Sequence, residues 1–109
     1  MTFYYLVGKM TAKGGYVSIV TNKTRSVLYI GVTSNLFARI TEHRSGEGSN
    51  FTKRYNCRHV VYYQFFETIV EAIEVEKKMK RWNRAWKDRE ITSFNPDWVD
   101  MCNQIEEFN

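Results

Sequence analysis

The sequence predicts a small α/β (α+β) domain: a three-stranded antiparallel sheet flanked by helices, in the order β-β-α-β-α-α-α. Three observations predict it. Two runs rich in β-branched and aromatic residues, 16–21 and 27–32, are separated by the polar stretch Asn22-Lys23-Thr24-Arg25-Ser26, the pattern of a hairpin. A third run, His59 to Phe66, is apolar almost throughout. From Ile69 onward the apolar residues recur with a period near 3.6 instead of two. With 109 residues, 43% of them hydrophobic and 16% aromatic, the chain has enough for one domain around one core.

Each element has its own local reason. Tyr16 to Thr21 forms the first strand and Val27 to Val32 the second. Ser34 or Thr33 can cap a helix starting near Asn35, whose apolar stripe is Leu36, Phe37 and Ile40 and which Gly46 and Gly48 end. Residues 49–58 are expected to be a basic loop. The third strand, 59–66, is expected to be central or well covered. Ile69, Ala72, Ile73, Val75 or Glu76, Met79 and Trp82 or Asn83 make the stripe of a long helix that bends near Asn83 and resumes through Trp86. Asn95-Pro96 stops that helix and restarts the chain in a last one over 97–105. The domain is expected to span 15–98, with an extension over 1–14 and a helical tail over 99–109. Met1 and Met10 are both plausible starts.

Composition narrows the function. No stretch is long enough to span a membrane. Cys57 and Cys102 are far apart and lack C-x-x-C spacing, which fits reduced thiols in a cytoplasmic protein. His59 lies two residues from Cys57, but nothing else completes a zinc set. The net charge of +4 favours an anionic partner only weakly. Its distribution says more. Lys77, Lys78, Lys80, Arg81, Arg84, Lys87 and Arg89 are opposed only by Asp88, and from Glu90 onward every charged residue is an acid. Such a basic block suits a phosphate backbone, although it equally suits a solvated helix face.

The most informative run is Tyr29-Ile30-Gly31-Val32-Thr33-Ser34-Asn35-Leu36, followed by Arg39 and His43 at i and i+4 on one helix face. With Glu76 on the later helix, it resembles the GIY-YIG nuclease superfamily. Phe51-Thr52-Lys53-Arg54-Tyr55, Val61-Tyr62-Tyr63 and Trp82-x3-Trp86-Lys87 resemble its small stand-alone bacterial, excinuclease-like members. The resemblance covers roughly residues 15–98. It implies hydrolysis of DNA phosphodiesters with one divalent cation, Mg²⁺ or Mn²⁺, held by Glu76. Arg39 would fork onto the phosphate, His43 would position or activate the attacking water, and Tyr29 would orient it. Lys53, Arg54, Tyr55, Arg58, Lys80, Arg84 and Lys87 would hold the nucleic acid, and Asn95 is a candidate for a late asparagine near the site.

The sequence departs from the family at one position. The first motif ends in a tyrosine four residues before an asparagine; with Asn22 as that asparagine, the tyrosine's place is taken by Ser18. Serine is too short to reach as far. Tyr16 shares its strand face but stands roughly 6–7 Å along the strand. Weakened cleavage with binding retained is therefore expected, and a non-catalytic nucleic-acid-binding module is the alternative. A protein-interaction domain would instead expose Trp82, Trp86 and Trp98 as a patch.

Overall fold

The computed structural model describes residues 14–45 and 50–107. The expected extension therefore lies, apart from Gly14, outside the described residues, as do Gly46 and Gly48. In chain order the elements are β1 (Gly15–Thr21), β2 (Leu28–Thr33), α1 (Leu36–Ser45), α2 (Asn50–Tyr55), β3 (His59–Phe66), α3 (Ile69–Lys80), α4 (Arg84–Phe94) and α5 (Cys102–Glu107).

The three strands pair antiparallel in the order β2-β1-β3. The central strand is thus β1, and β3 is an edge. The expectation of a central or well-covered third strand holds only in its second sense and only for its first half. Val60 to Tyr62 are buried, whereas Gln64 and Phe65 are exposed. Two contacts close that half of the edge: the Met101 amide donates to Val60 O at 2.8 Å, and Asn95 Nδ2 donates to Val61 O at 3.1 Å.

Pairing between β1 and β3 slips by one residue. Ile19 opposes Tyr62 and Val20 opposes Val60, so Val61 is an extra residue. The slip reverses which side chains of β3 face which way, as a bulge does. Val61 and Tyr62 join one core, with Val17, Ile19, Ile30, Val32, Ile69, Ala72, Met79 and Ile91. Val60 and Tyr63 join the other, with Val20, Leu36, Ile40, Cys57, Cys102 and Ile105. The sheet therefore separates two apolar clusters, with α3 and α4 over one face and α1 and α5 over the other.

Two expected elements differ. The basic loop contains a helical turn, α2, packed down by the buried Thr52. The last helix starts at Cys102 rather than 97: the Trp98 amide closes a turn on Asn95 O at 2.9 Å, and Trp98 takes a positive φ of 52°, which no helix accommodates. The bend near Asn83 is where it was expected, because the Asn83 side chain caps α4 by accepting from the Trp86 amide at 2.9 Å.

Candidate active site

Directly opposed residues on neighbouring strands project to the same side. Ser18 opposes Gly31 on β2 and Tyr63 on β3, so these three form a row across the sheet. The next row is Thr33, Tyr16 and Phe65, and Tyr29 opposes Val20. All of these side chains lie on the face carrying α1 and α5, where Tyr16, Tyr29 and Tyr63 pack against the second core. A Cβ on Gly31 would come 3.2 Å from Cε2 of Tyr29. The Tyr29 ring therefore lies across Gly31, and glycine makes the room. Ser18, 4% exposed, is the buried middle of this row.

The structure thus brings Tyr16, Ser18 and Tyr29 onto one face, as alternation along the strands requires. It adds Tyr63, which the sequence marked only within the run Val61-Tyr62-Tyr63 and not as a site residue. Only the register of β3, displaced by the extra residue Val61, places Tyr63 opposite Ser18. Burial, and then the neighbouring Tyr16, push the Tyr63 hydroxyl above the ordinary tyrosine value, so it is a neutral donor and acceptor at physiological pH.

Arg39 sits in the second turn of α1, directly after β2. Neither Ser34 nor Thr33 is the cap of that helix. Asn35 is, its Oδ1 accepting from the Ala38 amide at 3.0 Å, while the Thr33 hydroxyl accepts from the Asn35 amide at 3.1 Å. Arg39 pairs loosely with Glu42 at 3.7 Å and lines a cavity of about 210 Å³ with Thr33, Ser34, Asn35, Ala38 and Glu42. Asn35 and Arg39 offer donors there, suited to an anion's oxygens. His43 follows one turn later in α1; its side chain lies outside the described residues.

Glu76 belongs to α3, on the opposite side of the sheet from the Tyr29 ring. It is 4% exposed, between the core residues Ala72 and Met79 on the same helix stripe. Its Oε2 lies 3.1 Å from the half-exposed Lys80 ammonium. Among the described residues no three His, Cys, Asp or Glu side chains form a ligand cluster. A single buried carboxylate whose compensating charge comes from a flexible lysine fits a hard cation that keeps most of its sites for water and substrate oxygens.

The basic residues divide into two groups. Lys53, Arg54, Tyr55 and Arg58 are exposed on α2 and the link to β3. Arg84 is engaged within the fold, donating to Asp88 at 2.6 Å, to Arg25 O at 2.6 Å and to Ser26 O at 3.2 Å. Lys80 is held by Glu76, and Lys87 is half-buried. Asn95 is buried with its amide committed to Val61 O, Val99 O and the Val99 amide, which is a structural role. Trp86 is half-exposed, while Trp82 and Trp98 pack partly against the first core.

The chain is 39% identical over 72 residues to a UPF0213 protein of Staphylococcus haemolyticus, covering 66% of this chain and 87% of that one. It is 36% identical over 61 residues to a UPF0213 protein of Bacillus pumilus, covering 56% and 62% respectively. The solution NMR structure of a UPF0213 protein from Bacillus halodurans aligns with a TM-score of 0.47 at 29% identity, over 72% of this chain and 83% of that chain. The family model described as the GIY-YIG catalytic domain matches residues 14–90, which contain Ser18, Tyr29, Arg39, His43 and Glu76. The chain therefore belongs to the GIY-YIG family and carries a nuclease-type domain.

Proposed function

We propose that this chain hydrolyses phosphodiester bonds of DNA with the help of one divalent cation, Mg²⁺ or Mn²⁺, in repair or processing in the cytoplasm, and that Ser18 weakens the cleavage. The observation that carries the reading is Glu76. It is a carboxylate 4% exposed on a helix stripe whose other members are core residues. An apolar side chain would pack there at lower desolvation cost, so stability alone does not account for it. Glu76 is the residue that would hold the cation; when bound, the cation would neutralise charge on the phosphate and on the departing oxygen. Arg39 would engage a phosphate oxygen from the cavity at the head of α1. His43, one turn on, would orient or deprotonate the attacking water. Tyr29 would fix that water through its hydroxyl. Because Tyr29 and Glu76 stand on opposite sides of the edge strand β2, a substrate serving both passes along the β2 edge.

The test is a cleavage assay on single-stranded, duplex and branched DNA with wild type, Ser18→Tyr and Glu76→Ala. Slow Mg²⁺- or Mn²⁺-dependent cutting, lost in Glu76→Ala and raised about 100-fold in Ser18→Tyr, is expected. Robust cutting that survives Glu76→Ala would overturn the metal assignment. Equal rates in wild type and Ser18→Tyr would overturn only the weakening.

A second reading, a non-catalytic nucleic-acid-binding module, is favoured by the serine at 18 together with the exposed Lys53, Arg54 and Arg58. Salt-dependent binding unchanged by EDTA, without cleavage of any substrate, would decide for it.

A further inference from the structure

Phe51 and Tyr55 are large aromatic residues on a helix of one and a half turns, and each is 40% exposed. Core packing does not explain them, since Thr52 is the buried residue of α2. They are in line with Tyr29. The Tyr29 and Phe51 ring centres are 5.5 Å apart at 30°, and those of Phe51 and Tyr55 are 4.8 Å apart at 47°. The Arg54 guanidinium lies 5.6 Å from the Tyr55 ring centre. A ladder of rings thus leads from Tyr29 out to solvent and ends under a cation.

The chain beyond this ladder borders a cavity of about 240 Å³ lined by Arg44, Arg58, His59 and Asp100. The Asp100 carboxylate is already in use. It accepts from Arg44 at 2.6 Å and from the amides of Val60 and Cys102 at 3.1 and 3.2 Å, and it lies 3.8 Å from His59 Nδ1. Asp100 therefore holds Arg44 in place, and the remaining guanidinium donors, with Arg58 and the imidazole, are left for an anion. His59 opposes Thr21 on β1, and Tyr29 opposes the preceding Val20. At the backbone the cavity is thus about two strand spacings, roughly 10 Å, across the sheet from Tyr29.

We propose that this surface binds a nucleic-acid strand whose bases are unpaired, with bases stacked on Phe51 and Tyr55 and a backbone phosphate in the Arg44–Arg58–His59 cavity. This rests on the nucleic-acid reading above and names the substrate class of that site: single-stranded or locally opened. In a duplex both faces of each base are covered by neighbours, so an exposed ring ladder gains contact only with an unstacked strand. The charge agrees, since Lys53 and Arg54 stand on α2 with the ladder, Arg44 and Arg58 line the cavity, and Asp100 is the acid among the described residues that line it.

The experiment is fluorescence anisotropy with the full chain in EDTA. The probes are a labelled single strand, its duplex, and an abasic strand of equal length. The single strand is expected to bind at least about tenfold more tightly than the duplex. Tyr55→Ala should weaken the single strand about tenfold and the duplex little. Arg58→Ala should lower the slope of log affinity against log salt by about 0.7. Thermal melting of both variants checks that the fold is kept; Tyr55 is exposed enough for its removal to be tolerated. Equal or tighter binding of the duplex, or an abasic strand that binds as well as the natural one, would overturn the inference while leaving the nuclease reading standing. Failure to bind any of the three would overturn both.

Discussion

A methyl group at position 31 would sit 3.2 Å from the Tyr29 ring, a gap that the ring must widen by a few tenths of an ångström. Gly31→Ala is therefore expected to keep the fold, with an unchanged far-UV spectrum, and to lower any cleavage rate about tenfold by displacing the Tyr29 hydroxyl. Asn95→Ala should do the reverse. Removing the amide leaves Val61 O, the carbonyl of the extra residue in β3, buried without its donor, at a cost of about 2–3 kcal/mol in a urea titration. Tyr62 gives a pH prediction. Burial first, then the charge of Glu90 and its hydrogen bond at 3.3 Å, raise the Tyr62 hydroxyl above the ordinary value. The unfolded chain, whose tyrosines ionise near about pH 10, then releases this proton before the folded chain does. The stability from a neutral Tyr62 is complete below about pH 10 and lost as the pH rises further. The urea midpoint of wild type should fall between pH 9 and 11 more steeply than that of Tyr62→Phe. At this scale Tyr29, Arg39, His43 and Glu76 could be singled out as candidates from the order of the motif they resemble. Tyr63 could not, because its partnership with Ser18 depends on a register that no spacing within one strand reveals.

Strand composition and helical period located the hairpin, the third strand and the bend at Asn83. What local pattern could not convey was decided between elements. The apolar run of β3 predicted a central or well-covered strand, and the cover that its first half has comes from Asn95 and Met101, some 34 and 41 residues away. The last helix was expected to begin after Pro96, and the positive φ of Trp98 postpones it. The basic block was expected to face nucleic acid, yet its Arg84 is bound to the β1–β2 turn. Arg84→Ala is therefore expected to destabilise the chain by about 1 kcal/mol while leaving the salt dependence of nucleic-acid binding unchanged. A drop in the salt slope would return Arg84 to the interface.

On the scale of the molecule, the sheet divides two cores, and the residues after Asn95 reach both: Trp98 packs against the first, and Cys102 and Ile105 belong to the second. Ile105 is fully buried, as is Ile91 in the other cluster. Ile105→Ala and Ile91→Ala should each cost about 3 kcal/mol with a single unfolding transition, showing that the chain through α5 unfolds with the rest. The hold of Arg84 on the β1–β2 turn has a consequence for how the chain is held together. The turn at Arg25 has a positive φ of 62°, an unfavourable conformation for arginine, and the donors that grip its carbonyls come from a residue 59 positions later. The turn closes first on its own bonds, from the Arg25 amide to Asn22 O at 3.0 Å and from the Val27 amide to Asn22 Oδ1 at 3.1 Å. Arg84 then ties that local turn to the head of α4, so the hairpin that carries Tyr29 is fastened to the helical half of the chain at its tip as well as through the core.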